Sequence, residues 1–460
     1  MRILRGIALL TSLCAFAMSA LAASNPVPLI YQPLSPTSVV PGHPAFTMTV
    51  RGTGFVSGAV VKANGVALKT KFVNASMLQA QVPAQAAAKP GTATITVANP
   101  GSIDSNVIYF TVRKPSTTFA ATTDAVALEG GYLGVGDFNN DHRPDIAVAG
   151  SVVNIYEAAG NGNFNTIAGP PFNQLATLPP VIVADFNNDG NLDVAPCGID
   201  GSPNDPTTCA IYFGDGKGNL TQGVTGQNVF AGTMADMNGD GILDNIAMWN
   251  GGSGMHLAIY LGNGDGTFTN TTMLQTPGCG TPVVGDFNGD GKLDVEISCA
   301  SKHGEGLVGV FLGNGDGTVQ NEVDYVVLHG ANISAVADVN GDSKLDIVIG
   351  GVSVLLGNGD GTFTAGMSQV VDASSTVQVA DVNGDGILDI VAAGQASFSS
   401  HFLSVLLGRG DGKFEAPISF ESSAANLNTI GIADFNGDGL LDFAVSGPTQ
   451  STVMLQMVSK

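Results

Sequence analysis

The sequence is short of charge. Lys, Arg, Asp and Glu together make up 12% of its 460 residues, about half the share of an ordinary soluble domain. Helix-forming Lys and Glu are scarce, while 62 Gly and 22 Pro are present. Those two residues are costly inside helices and cheap in turns. An all-α fold is therefore excluded, and a turn-rich β-protein is expected. Basic residues are the rarest charged class, 17 against 39 acidic ones, for a net charge of −22. Phosphate recognition needs the opposite sign, so nucleic acid is excluded as a ligand and an anionic membrane surface is repelled. A hydrophobic content of 44% excludes a disordered chain. No run of 18 uninterrupted apolar residues occurs, so no membrane span is expected.

Residues 1–22 read as a secretory signal. Arg2 and Arg5 supply the positive end, Gly6 to Met18 an apolar run too short to span a bilayer, and Ala20-Leu21-Ala22 the small-x-small cleavage pattern. A secreted or cell-surface protein follows, and removing both arginines takes the net charge to −24. Cys14 leaves with the leader, and Cys197, Cys209, Cys279 and Cys299 remain. An even count in an exported chain favours disulfides. The expected pairs are local, Cys197 with Cys209 and Cys279 with Cys299, because each flanks one short stretch between consecutive strands. No Cys-x-x-Cys spacing supports a zinc site.

A nine-residue pattern recurs seven times. Its copies begin at Asp137, Asp185, Asp236, Asp286, Asp338, Asp381 and Asp434, and are called loops 1 to 7 below. Loop 4, Asp286-Phe-Asn-Gly-Asp-Gly-Lys-Leu-Asp294, is typical. An apolar run enters each copy and a β-rich run leaves it, as Pro282-Val283-Val284 and Val295-Glu296-Ile297 do in loop 4, so each loop joins two antiparallel strands. A third strand follows, as in Leu257 to Leu261, then a Gly-Asn-Gly-Asp-Gly hairpin turn and a fourth segment opened by Phe268. Each unit of about 40 to 50 residues has the size and make-up of a propeller blade.

The seventh unit stops on its third strand, while Thr117 to Leu128 precedes loop 1 and matches a fourth strand. Pairing Phe119 to Ala127 with Thr452 to Val458 would close a seven-bladed ring over residues 117–460 and remove its open edge. Residues 25–115 lack the loop. There Phe46, Met48 and Val50 alternate with Thr47, Thr49 and Arg51, and Ala93, Ile95 and Val97 with Thr92, Thr94 and Thr96, the period of half-buried strands in a small sandwich. The fold class expected is all-β, an Ig-like sandwich followed by a seven-bladed β-propeller.

Positions 1, 3, 5 and 9 of every loop carry side-chain oxygens. The set is Asp137, Asn139, Asp141 and Asp145; Asp185, Asn187, Asp189 and Asp193; Asp236, Asn238, Asp240 and Asp244; and Asp286, Asn288, Asp290 and Asp294. It continues with Asp338, Asn340, Asp342 and Asp346; Asp381, Asn383, Asp385 and Asp389; and Asp434, Asn436, Asp438 and Asp442. Backbone carbonyls at position 7, from Arg143, Asn191, Ile242, Lys292, Lys344, Ile387 and Leu440, complete a set suited to a hard cation. Such a set can supply the six to eight oxygens that Ca²⁺ takes, and Mg²⁺ with its tight octahedron suits it less well. No thiolate or imidazole recurs. Up to seven structural Ca²⁺ ions would bring −24 to −10. An EF-hand is excluded because position 12 is apolar, as at Val148, Pro196 and Ile297. Plain Asx turns without metal are the competing reading, which does not by itself require acid at positions 1, 5 and 9. Loops 1 and 5 depart from the pattern, with His142 and Ser343 where Gly eases the turn.

This array resembles the FG-GAP/VCBS repeats of integrin-α-like propellers. The segment with Leu34-Ser-Pro-Thr-Ser38, Val50-Arg-Gly-Thr-Gly-Phe55 and Pro90-Gly-Thr-Ala-Thr-Ile-Thr-Val97 is similar to an IPT/TIG immunoglobulin-like domain. The resemblance implies Ca²⁺ at the matching loop positions and a surface or secreted protein. Integrin ligand chemistry does not carry over, because the Phe-Gly and Gly-Ala-Pro pieces are not clear here. No catalytic motif occurs, and the six His residues share no repeat position. The expectation is an extracellular binding or adhesion module for a protein or glycan. The alternative is a Ca²⁺-dependent carbohydrate-active enzyme, a polysaccharide lyase or hydrolase, with its site at the propeller centre.

Overall fold

A computed structural model describes residues 26–116, 120–122, 126–172, 176–199, 208–223, 229–250, 254–277, 280–300, 306–328, 333–369, 374–397, 400–424, 427 and 429–457. The leader expected at 1–22 lies outside the described residues. Among them the regular structure is β-strand, with one short 3-10 turn at Ala84–Ala87.

The N-terminal domain packs two sheets face to face. One orders Leu29–Ile30, Phe46–Thr53, Met77–Val82 and Lys69–Asn74; the other orders Ser38–Val39, Ile108–Val112, Gly91–Ala98, Val60–Ala63 and Val66–Ala67. Met48, Val50, Leu78, Ala80, Ile95, Val97 and Phe110 fill the core between them, and Thr47, Thr49 and Arg51 alternate outward as the pattern predicts. Thr96 differs, being buried, and its hydroxyl is satisfied by Asp104 Oδ2 at 2.9 Å.

Seven antiparallel sheets follow, each built first strand, loop, second strand, third strand, fourth strand. The position-9 Asp is the first residue of every second strand, and it pairs with the last residue of the first strand. That partner is always small: Gly136, Ala184, Ala235, Gly285, Ala337, Ala380 or Ala433. In the third, fourth and fifth sheets a Gly-Asn-Gly-Asp-Gly turn joins the third and fourth strands, as where Gly262 pairs with Phe268, and related Gly-rich turns do so in the first, second and sixth. Each sheet shares an apolar cluster with the next. The fourth and fifth sheets meet through Val308, Val310, Ile347 and Ile349, and the seventh meets the first through Ala444, Val453, Ile146 and Val148. First strands lie beside first strands around the same cycle, ending with Thr429–Ala433 beside Tyr132–Gly136.

The seventh sheet draws on both parts of the array. Its fourth strand is Val126–Glu129, antiparallel to Gln450–Met454, with Val126 opposite Val453 and Ala127 opposite Thr452. A bridge between Ala121 and Gln456 extends the pairing. The strand therefore reaches Glu129, two residues past the expected end; Phe119 and Val458 lie outside the described residues. Cys197 and Cys209 face each other across the second sheet and are disulfide-bonded. Cys299 is also disulfide-bonded, and Cys279 lies outside the described residues.

Candidate functional site

All seven loops share one hydrogen-bond scheme, typified by loop 4. Asp286 Oδ1 accepts the N–H groups of Gly289 and Asp290 at 2.8 and 3.1 Å, and Oδ2 that of Gly291 at 2.9 Å. Asn288 Oδ1 also accepts from Asp290 N at 2.8 Å, so the oxygens of positions 1 and 3 converge on one point. Asp290 Oδ1 accepts from Lys292 N at 2.9 Å. His142 and Ser343 take the left-handed backbone that Gly takes elsewhere (φ 68° and 71°). Their N–H groups reach Asp137 Oδ2 and Asp338 Oδ2 at 2.8 Å each. Loops 1 and 5 thus keep the common shape despite their substitutions.

The position-9 Asp performs a different task. One oxygen accepts the N–H of position 2, and the other accepts an N–H from the far end of the third strand. Asp294 bonds Phe287 N and Gly313 N, and Asp244 bonds Met237 N and Gly262 N, all at 2.8–2.9 Å. Asp145, Asp193, Asp346, Asp389 and Asp442 repeat the pair of bonds. All seven side chains are buried. Burial pushes Asp193, Asp389 and Asp442 up to about 8, Asp145, Asp244 and Asp294 to about 7, and Asp346 to about 6, against the pull of the backbone N–H groups.

The donor set of positions 1, 3 and 5 is oxygen alone and fits a hard divalent cation. In the structure these oxygens turn onto backbone N–H groups, and among the described residues no three carboxylates, imidazoles or thiolates gather into a metal cluster.

The N-terminal domain sits on the loop ends of the array. Thr37 Oγ1 and Ser38 Oγ both donate to Asp381 Oδ2, the former at 3.2 Å. Thr92 Oγ1 donates to Asp434 Oδ2 at 2.8 Å, and Asp236 N donates to Thr53 Oγ1 at 3.0 Å. Arg51 Nη2 donates to the Ser343 carbonyl at 3.1 Å. Arg113 is buried against Gly384 of loop 6, with Nη2 3.5 Å from the Asp381 carbonyl.

Two sizeable cavities result. A central one of about 490 Å³ is walled by first strands of all seven sheets, among them Leu133, Ile182, Met234, Val284, Val336, Val379 and Ile430, and roofed by Leu29–Gln32 and Asn106–Tyr109. Its described lining holds no carboxylate, imidazole, ammonium or guanidinium. The other, about 530 Å³, is a cleft between the N-terminal domain and the loop ends of the fourth to sixth sheets, where Arg51, Asp286 and Asp338 are found. His43, His142, His256 and His401 line neither cavity; His303 and His329 lie outside the described residues. Sequence reasoning missed the cleft entirely. Arg51 showed only as an outward position of an alternating strand, with nothing local to mark what it would face.

One buried acid stands apart from the loops. Glu296, on Asp294–Ala300, is fully enclosed and accepts the Ser334 hydroxyl on Oε2, while Oε1 has no partner among the described residues. Burial pushes it up to about 8.

Family models match two parts of the chain. An FG-GAP-like repeat matches residues 137–195, 236–297, 338–392 and 381–445, and an IPT/TIG domain matches 30–112. No curated protein matches the sequence. Among solved structures, an auxiliary nutrient binding protein from Bacteroides ovatus is 12% identical, with 94% of this chain and 98% of that chain covered and a TM-score of 0.38. A phosphatase candidate from Bacteroides thetaiotaomicron is 11% identical over 94% and 98%, with a TM-score of 0.33. A second auxiliary nutrient binding protein, from the same species, is 12% identical over 93% and 86%, with a TM-score of 0.25.

Proposed function

This chain belongs to the FG-GAP-like repeat proteins and carries an IPT/TIG domain at its N-terminus, and we propose that it is an extracellular, calcium-stabilised binding module. In this reading the seven sheets are blades of a closed propeller. The cyclic packing of first strands and the pairing of Val126–Glu129 with Gln450–Met454 support it. The observation that carries the function is the sevenfold repetition of one loop geometry, with carboxylate and amide oxygens converging beside a buried Asp that ties three strands together. Calcium would be held by the side chains of positions 1, 3, 5 and 9 and the carbonyl of position 7. It supplies charge neutralisation to loops carrying three acids each, and its binding free energy adds to folding.

The role is structural, and a rigid array of loops leaves its outer surfaces and the N-terminal domain to bind a protein or glycan. Export through residues 1–22 places the protein outside the cytoplasm, where disulfides such as Cys197–Cys209 persist. The alternative, a lyase or hydrolase at the centre, would have to work with the phenols of Tyr31 and Tyr109 and the polar groups of Gln32, Asn106, Thr233 and Gln378 on the described lining of the central cavity. The test is elemental analysis of the purified protein for calcium, beside glycan-array and extracellular-protein capture experiments. A calcium-free protein with no glycan or protein ligand would overturn the reading.

A further inference from the structure

We propose that the cleft between the N-terminal domain and the loop ends of the fourth to sixth sheets binds an acidic carbohydrate, whose carboxylate or sulfate is held by Arg51. The inference rests on the binding-module reading and names its site and ligand class. Small-molecule sites favour domain junctions and run to about 300–1,000 Å³; this cleft, at about 530 Å³, lies at such a junction.

Its lining sets the chemistry. Gln32, Thr49 and Gln79 on one side and Asn340 on the other offer amides and a hydroxyl, groups that both donate and accept and so match the hydroxyls of a sugar ring. Tyr31 and Met77 add apolar surface for a ring face.

Arg51 decides between neutral and acidic sugars. It is the one cation on the described lining of the cleft. A guanidinium has five N–H donors, and among the described residues the Ser343 carbonyl takes one of them. Asp286 and Asp338 share the cleft, yet their oxygens are engaged by N–H groups of their own loops, and neither comes within ion-pair distance of Arg51. The hydroxyls of a neutral sugar can accept from these spare donors one bond at a time, but they bring no charge to replace the water that solvates the guanidinium. A carboxylate or sulfate meets the fork with two parallel bonds. A divalent cation on each of loops 4 and 5 would offset two of the three acids that each loop carries, lowering the repulsion that an anionic ligand meets there.

Titration calorimetry on the full chain with excess calcium tests this, using a uronic-acid oligosaccharide, a sulfated one and a neutral one of equal length. The wild type should bind at least one acidic sugar about tenfold or more tightly than the neutral one. Arg51→Gln should weaken that binding about tenfold, with Arg51→Lys intermediate. Gln79→Trp, which leaves the Arg51–Ser343 bond in place, should abolish it by filling the cleft. Acidic-sugar binding that survives both Arg51→Gln and Gln79→Trp overturns the proposal, as does equal affinity for the neutral sugar or binding of an acidic peptide alone. In those outcomes the binding-module reading stands, whereas a wild type that binds neither glycan nor protein defeats that reading itself.

Discussion

Ser38 donates its hydroxyl to Asp381 across the boundary between the two parts of the molecule, a bond between residues 343 positions apart in the chain. Asp381 opens loop 6, so the same carboxylate that braces a loop also anchors the N-terminal domain. Thr37 adds a second hydroxyl to the same oxygen. Replacing both by Ala leaves a buried carboxylate short of two donors and should cost roughly 1.5–3 kcal/mol of docking free energy. Limited proteolysis at Arg113 to Ser116 should then speed up. An unchanged cleavage rate would show that other contacts hold the domain.

Calcium removal is expected to act on all loops together. Chelation should lower the melting temperature of the wild type much more than Asp290→Ala does, because the variant weakens loop 4 and leaves six loops intact. Scanning calorimetry with and without chelator makes the comparison, and equal melting temperatures would leave the loops as ordinary turns.

The position-9 Asp should matter even without metal. Asp244→Ala orphans the buried N–H groups of Met237 and Gly262 and should destabilise by roughly 2–5 kcal/mol. Denaturant unfolding in the presence of chelator isolates this effect from calcium loss. A cost below that of Asp240→Ala under the same conditions would contradict the assignment.

Glu296 should make stability depend on pH. Its ordinary value is 4.5 and burial raises it to about 8 in the folded protein. Between those values the folded state keeps a proton that the unfolded state has lost, so stability falls as pH rises through this window. The loss amounts to a few kcal/mol, on the order of 1.4 per pKa unit. Glu296→Gln removes that component, so the melting temperature of the variant relative to wild type should climb between pH 5 and pH 9, on the order of the window above. A parallel pair of melting curves across that range would rule it out.

Ser343 holds a left-handed backbone that disfavours side chains. Ser343→Gly should stabilise by about 0.5–1 kcal/mol, the relief of αL crowding less the extra entropy of Gly. Its carbonyl remains available to Arg51, so domain docking should not change. A variant that unfolds at lower denaturant than wild type would be inconsistent with relief of the turn.

The loops were legible because their information is local. Nine residues carry the turn, the oxygens and the entry to the next strand, and the seven copies reinforce one another. The Cys197–Cys209 pair was legible for the same reason, as neighbours along consecutive strands. The double task of the position-9 Asp was not, since its second partner, such as Gly313 for Asp294, arrives only when the third strand folds back. Thr96 read as an outward residue because strand alternation ignores Asp104, which folds over it. The seating of the N-terminal domain on loops 3, 5, 6 and 7 left no periodic trace. It depends on single residues such as Thr53, Arg51, Ser38 and Thr92 meeting partners hundreds of positions away.

The seventh sheet takes its outermost strand from before loop 1 and the other three from the strands that flank and follow loop 7. Six sheets can assemble from contiguous chain as it emerges, each contact local and quick to form. The seventh must wait for the last strand of the array, because Val126 has no partner until Val453 arrives. Until then the strand from Val126 to Glu129 is an unpaired edge, open to pairing with another chain. Truncation before Gln450 would make that waiting state permanent, and the exposed edge would become a template for aggregation.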